Sequence, residues 1–210
     1  LVNLSDLAPT FLDAAGISIP KMMIGKALTD ILKDKTTVKR EAAFIGMERH
    51  AGCREGGKGY PCRAIRTKEY LYIRNFDPDR WPAGSPERKH CVRHIRYGEV
   101  DPSPTKTVMM DEPKYAKLAD LAFGKRPAEE LYLISNDPHQ LRNLADAKEF
   151  QKTRDLLRQQ LDDHLKKSGD PRLTGKPALW DYYPFYRAPK FPGWKVAPMP
   201  AEFQKAHKVK

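Results

Sequence analysis

The chain is short of cysteine, of long apolar runs and of repeats, and each shortage excludes something. Its 210 residues hold three cysteines, Cys53, Cys62 and Cys91, an odd number with no CxxC spacing. That argues against a disulfide framework and a sequence-encoded zinc site, and leaves free thiols or at most one bridge. No apolar run approaches the ~18 residues that a membrane-spanning helix needs, so no membrane partner is expected. There is no internal repeat, no low-complexity tract, and no helix-turn-helix, zinc-finger or RNP pattern, so no nucleic-acid partner is expected. An initiator Met is also missing, and Leu1 to Ile17 already reads as helix. The chain therefore reads as a piece of a longer polypeptide, and the lack of a leader says nothing about compartment.

What is present is globular: 40% hydrophobic and 31% charged residues, enough to build a core. Thirty-eight Lys and Arg against 27 Asp and Glu give a net charge of +11, which attracts polyanions at long range. Nucleic acid, sulfated glycan and anionic membrane satisfy that attraction equally. From Arg187 to Lys210 there are six basic residues and one acidic, the pattern of a solvated extension or of a binding arm.

Ser5 is placed to cap a helix carrying Leu7, Phe11, Leu12 and Ala15 on one face and stopping at Gly16. A short helical run, Ala27 to Leu32, follows. Ala42 to Gly46 is a buried-strand run, and residues 51–61, with glycine at 52, 56, 57 and 59, form a loop. Arg63 to Thr67 and Tyr70 to Phe76 read as a hairpin, with Tyr70, Tyr72, Arg74 and Phe76 on one face. Residues 77–127 are rich in proline and charge and poor in periodicity, long enough to suggest packing over something functional. Glu130 to Ser135 reads as a third strand. Ala147 to Ser168 reads as a long helix with Asp146 and Glu149 as capping pair, Phe150, Leu157, Leu161 and Leu165 as stripe, and Gly169 as stop. The tail interleaves proline with rings such as Trp180, Tyr182, Phe185 and Trp194. Three units are expected: 1–46 in a larger α/β layer, 47–170 as an α+β subdomain with a small antiparallel sheet on a long helix, and 171–210 as an irregular tail.

Several stretches carry a family resemblance. Leu4 to Ile17, then Pro20 and Gly25 to Leu28, resemble the segment that follows the last metal-binding strand of sulfatases. Glu130-Leu131-Tyr132 with Asn136 to Ala145 resembles the C-terminal sulfatase signature, although Leu133 and Gln140 stand where the family usually has Asp and Glu. Glu48-Arg49-His50 to Arg63, and Arg74 to Pro82, are most similar to the N-sulfoglucosamine sulfohydrolase branch. Together the motifs run from about residue 2 to 195. The resemblance implies an alkaline-phosphatase-like α/β fold, represented here by its C-terminal part. It also implies hydrolysis of sulfate esters or sulfamates by a formylglycine and a calcium ion. Both would lie outside this chain, which is assigned no metal ligand. Cys62 to Arg66 has the family's Cys and Arg spacing but Ala64 where its proline is needed, and Asp162-Asp163 reads as a solvated helix face.

On that resemblance the loop from Glu48 to Arg63 faces the active-site mouth. His50 is the candidate catalytic residue, donating to a sulfate oxygen or protonating a leaving amine; the alternative is a loop histidine bonded to backbone. Arg49 and Arg63 are candidate forks for sulfate or carboxylate oxygens, or else partners of acids. Glu48 would bond sugar hydroxyls or fix Arg49, and Tyr60 would contact a sugar or pack. Arg74, Arg80 and Trp81 read as structural, and His90, Cys91 and His94 as exposed loop residues. The expected partners are a sulfated saccharide and the N-terminal sulfatase domain. The expected compartment, from the family alone, is secreted or periplasmic, lysosomal in eukaryotic relatives. The fragment by itself is expected to be inactive. Two other readings stand beside this one: a non-catalytic polyanion-binding module, and a structural cap that never touches substrate.

Overall fold

In the computed structural model, residues 1–33, 40–50, 52–91, 94–173, 179–183 and 198–201 are described. Four strands, β1 (Ala42–Met47), β2 (Cys62–Thr67), β3 (Tyr70–Asn75) and β4 (Glu129–Leu133), form one antiparallel sheet in the order β1-β2-β3-β4. Ahead of it lie α1 (Leu7–Ala14) and α2 (Thr29–Leu32); α3 (Pro104–Asp111) and α4 (Ala116–Phe123) lie between β3 and β4. The long helix α5 (Gln151–Ser168) follows β4. This is the expected α+β arrangement of a small sheet covered by one helix.

The core follows from the strand period of two. Phe44 pairs with Ile65, Ile65 with Tyr72, and Tyr72 with Leu131, so one row of side chains crosses the whole sheet. Leu157, Leu161 and Leu165, spaced one turn apart on α5, pack onto that row together with Leu144 and Ala145. The side chains of Ile65, Tyr72, Leu131 and Leu161 are fully enclosed. On β1 the Phe44 ring stacks face to face on His164 of α5 at 3.6 Å. Burial, with Lys167 nearby, lowers the His164 pKa and favours the neutral ring that such a stack suits.

A polar row runs beside the apolar one. Gly46 faces Arg63, Arg63 faces Arg74, and Arg74 faces Glu129. Two arginines side by side would repel, but each has its own acid: Arg74 bonds Asp162 of α5 at 2.7 Å, and Arg63 bonds Asp170 just beyond that helix. Asp162 is thus a sheet-facing partner, whereas its neighbour Asp163 is exposed.

The sheet edge at β4 is closed by Asn143. Its Oδ1 accepts from the Leu131 and Ala145 amides and its Nδ2 donates to the Glu129 carbonyl, while the Leu144 amide bonds the Leu131 carbonyl. The Asn136-to-Ala145 signature therefore works as an edge cover that occupies strand groups otherwise open to pairing.

Some expectations are corrected. The boundary expected between residues 46 and 47 falls within β1, every residue of which pairs with β2. The first helix is capped by Asn3, not Ser5: Asn3 and Asp6 form a reciprocal capping box across the tight turn Leu4–Asp6. The long helix opens through a turn at Lys148–Phe150 with no side-chain cap from Asp146; Arg154 reaches back to the Ala145 carbonyl at 2.9 Å there. Residues 77–127 are not featureless. Ser103 caps α3 by accepting from the Lys106 amide, with Pro104 in the first turn, and Phe123 of α4 stacks on Tyr97. Phe185, Tyr186, Phe191 and Trp194 lie outside the described residues.

The N-terminal segment is tied to the sheet through buried Asp6, which is 1% exposed. Its carboxylate accepts from the Asn3 amide at 2.7 Å, the Lys26 amide at 3.0 Å, and Arg40. Burial works to raise its pKa, but the bonds from Arg40, Lys26 and Asn3 outweigh it and hold the carboxyl below its ordinary value. A depressed carboxylate contributes stability above its unfolded-state pKa of ~3.9, and that contribution is lost as pH falls through the folded-state value. Asp6→Asn is therefore expected to lower unfolding free energy by roughly 2 kcal/mol at pH 7. The gap to wild type should close as the pH drops below ~3.9, read by urea denaturation at pH 7, 5 and 3. A gap that stays constant across that range would contradict the assignment.

Candidate functional site

Between β1 and β2 the chain leaves the sheet, loops out over residues 48–61 and returns. Ion pairs, rather than regular structure, hold this loop. Arg63 lies on the α5 face of β2 with its stem across β1; a Cβ at Gly46 would lie 3.3 Å from its Cδ, so the missing side chain there makes the passage. Its Nε bonds Asp170 at 2.7 Å and its two terminal nitrogens bond Glu48 at 2.7 Å, Asp170 at 3.3 Å, and the carbonyls of Met47 and Cys62 at 3.0 and 2.9 Å. Burial opposes the charge, yet the bonds to Asp170 and Glu48 prevail and raise the Arg63 pKa. All five guanidinium N–H groups fit into that set. Arg63 therefore stands as an internal strut, not as a fork held open for an anion.

Glu48 is shared. One oxygen meets both Arg63 and Arg172 Nε, the latter at 3.0 Å, and the other oxygen meets Arg172 again. Arg172 lies over the Trp180 ring at 5.3 Å. At the residue after Trp180 the chain is tied again: buried Asp181 accepts from the Gly59 amide at 2.7 Å and pairs with Arg80 at 2.9 Å. Arg80 also donates to the Gly59 carbonyl at 2.9 Å. The segment after α5 thus clamps both ends of the loop.

The exposed tip is built differently. The His50 side chain is 78% exposed, with Nδ1 against Glu99 Oε2 at 2.8 Å. The other Glu99 oxygen is held by Arg54 at 2.9 Å, and buried Arg54 is fixed in turn by the carbonyls of Trp81 and Pro82, each at 2.7 Å. With Glu99 taking Nδ1–H, Nε2 is the nitrogen left for a solvent-side group. Arg49 donates to the Tyr183 carbonyl at 2.7 Å, and burial lowers its pKa against the pull of Asp181.

Tyr60 turns away from this tip. It is 2% exposed, and burial, reinforced by Glu130, pushes its hydroxyl pKa up. It lines a cleft of about 460 Å³ on the face of the sheet opposite α5, with Cys62, Asn75, Glu130 and Tyr132. Of the five sequence candidates, Glu48 and Arg63 are joined directly, Arg49 and His50 sit at the loop tip, and Tyr60 packs beneath. His50 and Arg63 occupy separate environments. Sequence reasoning missed Arg54, Glu99, Asp170, Arg172 and Asp181. No local pattern marks them, because each acts through a partner distant in the chain. Among the described residues no group of three or more His, Cys, Asp or Glu is placed to hold a metal ion.

Comparison with known proteins places this geometry. Residues 1–83 match the family model described as N-sulphoglucosamine sulphohydrolase, C-terminal. Two ulvan-active sulfatases of Formosa agariphila are 26% and 29% identical to the chain over 174 residues, 81% of its length. The chain spans only 30% and 26% of the length of those relatives. A crystal structure of a Bacteroides thetaiotaomicron protein assigned as a sulfatase covers 92% of this chain, with a TM-score of 0.50 and 19% identity, and the match uses 31% of that protein. A further structure, solved in complex with its substrate D-glucosamine-2-N,6-O-disulfate, covers 80% of this chain and 25% of its own, at 21% identity and a TM-score of 0.48. The four-stranded sheet and long helix thus share the fold of part of that Bacteroides thetaiotaomicron protein.

If Arg63 is a strut, removing it should cost stability before anything else. Arg63→Ala is expected to lose about 3–5 kcal/mol of unfolding free energy, the usual loss when one partner of a buried ion pair is removed. Arg63→Lys should recover only part of it, because an ammonium offers three donors where the site uses five. Denaturant titration of the three proteins decides. Wild-type stability in Arg63→Ala would refute the strut.

Proposed function

We propose that this chain, a sulfatase homologue, is the C-terminal part of an enzyme hydrolysing sulfate ester or sulfamate groups on a sulfated amino sugar, and that its loop 48–61 forms one wall of the pocket mouth. The observation that carries this reading is the family match over residues 1–83. That span contains β1, the loop and the β2–β3 hairpin, the elements whose ion pairs fix the loop tip. Formylglycine and calcium would be supplied by chain upstream of Leu1. The substrate class is suggested by the family model that residues 1–83 match, described as N-sulphoglucosamine sulphohydrolase, C-terminal, and a secreted or periplasmic location by kinship with bacterial sulfatases. Among the described residues no helix is long and apolar enough to cross a membrane.

His50 is assigned the proton-handling role. Glu99 orients the ring through Nδ1, which leaves Nε2 to donate to the bridging nitrogen or oxygen as the bond to sulfur breaks. Arg49 adds positive charge beside it, favouring the anionic substrate. Glu48 and Arg63 are positioning residues that keep the tip where it stands.

The N-terminal segment is assigned to the contact with the remainder of the protein. Leu4, Phe11, Met22, Ile24 and Leu32 are 67–88% exposed, and Ile45 on the outer face of edge strand β1 is 50% exposed. Apolar side chains in that number on one short segment call for a cover, and upstream chain is the cover the partial span of the relatives suggests.

In the full-length enzyme, His50→Ala is expected to lower kcat/KM on a sulfated glucosamine by about 100-fold, the lower end for loss of a general acid, with thermal stability unchanged because the ring is exposed. Steady-state kinetics beside a melting curve checks this. Wild-type kinetics for His50→Ala would favour the structural-cap reading.

A further inference from the structure

Cys53 and Cys91 stand 38 residues apart, on two irregular segments that meet beneath the loop tip. Both are buried, at 0% and 5% exposure. Cys91 Sγ lies 3.2 Å from the Cys53 carbonyl oxygen and 3.4 Å from that of Ser85. Space for the pair is made by glycine. A Cβ at Gly98 would fall 2.7 Å from Cys53 Sγ, and one at Gly84, whose φ is +92°, would fall 2.9 Å from Cys53 Cβ. The same two segments carry the supports of the candidate site, since Cys53 adjoins Arg54 and Gly98 adjoins Glu99. Cys62 is elsewhere, on β2 facing the opposite cleft, so only one pairing is open.

We propose that Cys53 and Cys91 are a disulfide-forming pair that staples the loop bearing His50 to the segment bearing Glu99. With Cys91 Sγ already against the Cys53 backbone, closing to the ~2.05 Å of a disulfide asks for a local movement of the two side chains. The pair is also chemically biased toward exchange. Interaction with the Cys53 thiol and with the backbone of Gly98 and Ser85 lowers the Cys91 thiol to about 6, against the effect of burial, while interaction with Cys91 and burial push the Cys53 thiol up. One sulfur is thus the attacking thiolate and the other the resolving thiol.

The oxidant required is a small disulfide such as oxidised glutathione, reaching the pair while the loop is open or still folding. Cys91 thiolate attacks one glutathione sulfur, forming a mixed disulfide and expelling glutathione thiolate, which takes up a proton. Cys53 then gives up its proton and attacks Cys91 Sγ, forming the Cys53–Cys91 bond and expelling the second glutathione. Two protein thiols are oxidised by two electrons and one glutathione disulfide is reduced to two thiols. Nothing in this step depends on the proposed hydrolytic activity.

The test is differential alkylation of the full-length protein. Protein held in oxidised glutathione at pH 8, and a reduced control, are each unfolded in iodoacetamide, digested and weighed. The oxidised sample should yield one peptide pair joined through Cys53 and Cys91, lighter than the two free peptides by the two hydrogens lost on oxidation, with Cys62 alkylated. The control should show all three cysteines alkylated. Full alkylation after oxidation, glutathione adducts without a cross-link, or a bridge through Cys62 would each overturn the proposal. The oxidised protein should also melt about 5 °C above the reduced one, and Cys91→Ser should abolish the difference. Equal midpoints in wild type would show that the bond does not fit the native geometry.

Discussion

The buried guanidinium of Arg63 ties the paired strands β1 and β2 to the loop between them and to the segment after α5, which no regular element joins. It bonds the end of β1 through Met47, the loop through Glu48, its own strand through Cys62, and the segment after α5 through Asp170. A charge that deep is tolerated only because every donor is satisfied and two acids stand against it. Arg172 repeats the device from the other side by gripping Glu48. Because the fourteen residues that join β1 to β2 hold no strand or long helix among those described, these contacts decide where the loop tip stands. Packing on α5 fixes the sheet; the ion pairs fix what projects from it.

The two faces of the sheet divide the labour. On one, the row from Phe44 to Leu131 meets the leucine stripe of α5 and forms a dry core. On the other, Asn75 and Tyr132 both bond Glu130, at 2.7 and 2.5 Å, along a cleft that Tyr60 enters from the loop. More than half of the exposed large apolar residues lie instead on the N-terminal segment, with Ile45 and Met47 beside them on β1. A chain spanning under a third of its relatives' length would be expected to leave such a surface.

Much of this was legible from residue patterns. Period-two alternation in Tyr70 to Phe76 gave the face of β3, because burial on one side leaves no other arrangement, and the leucine spacing of α5 gave its stripe. What was not legible depended on distance in the chain. Arg63 has the chemistry of an anion fork, and nothing near it in sequence announces that Asp170, 107 positions later, occupies it. The two helices within residues 77–127 are short, and α3 has little apolar face, so tertiary contact rather than local pattern forms it. Cys91 looked like a solvent-exposed loop residue beside His90 and His94, and only the approach of Cys53 made it buried. The role of Asn143 as cover for β4 was concealed for the same reason, since its partners lie on a neighbouring strand.

The central claim is that the Arg63 network sets the position of the loop tip, and amide hydrogen exchange reads that position most directly. The Gly59 amide is bonded to Asp181 and the Tyr60 amide to the Glu48 carbonyl at 3.0 Å, so both should be protected in the full-length protein. In Asp170→Asn, which weakens the network without touching either bond, exchange at these two amides should accelerate by about tenfold or more, while that of the β3 amides stays as in wild type. Unaltered exchange at Gly59 and Tyr60 would mean that the loop holds itself and would contradict the account.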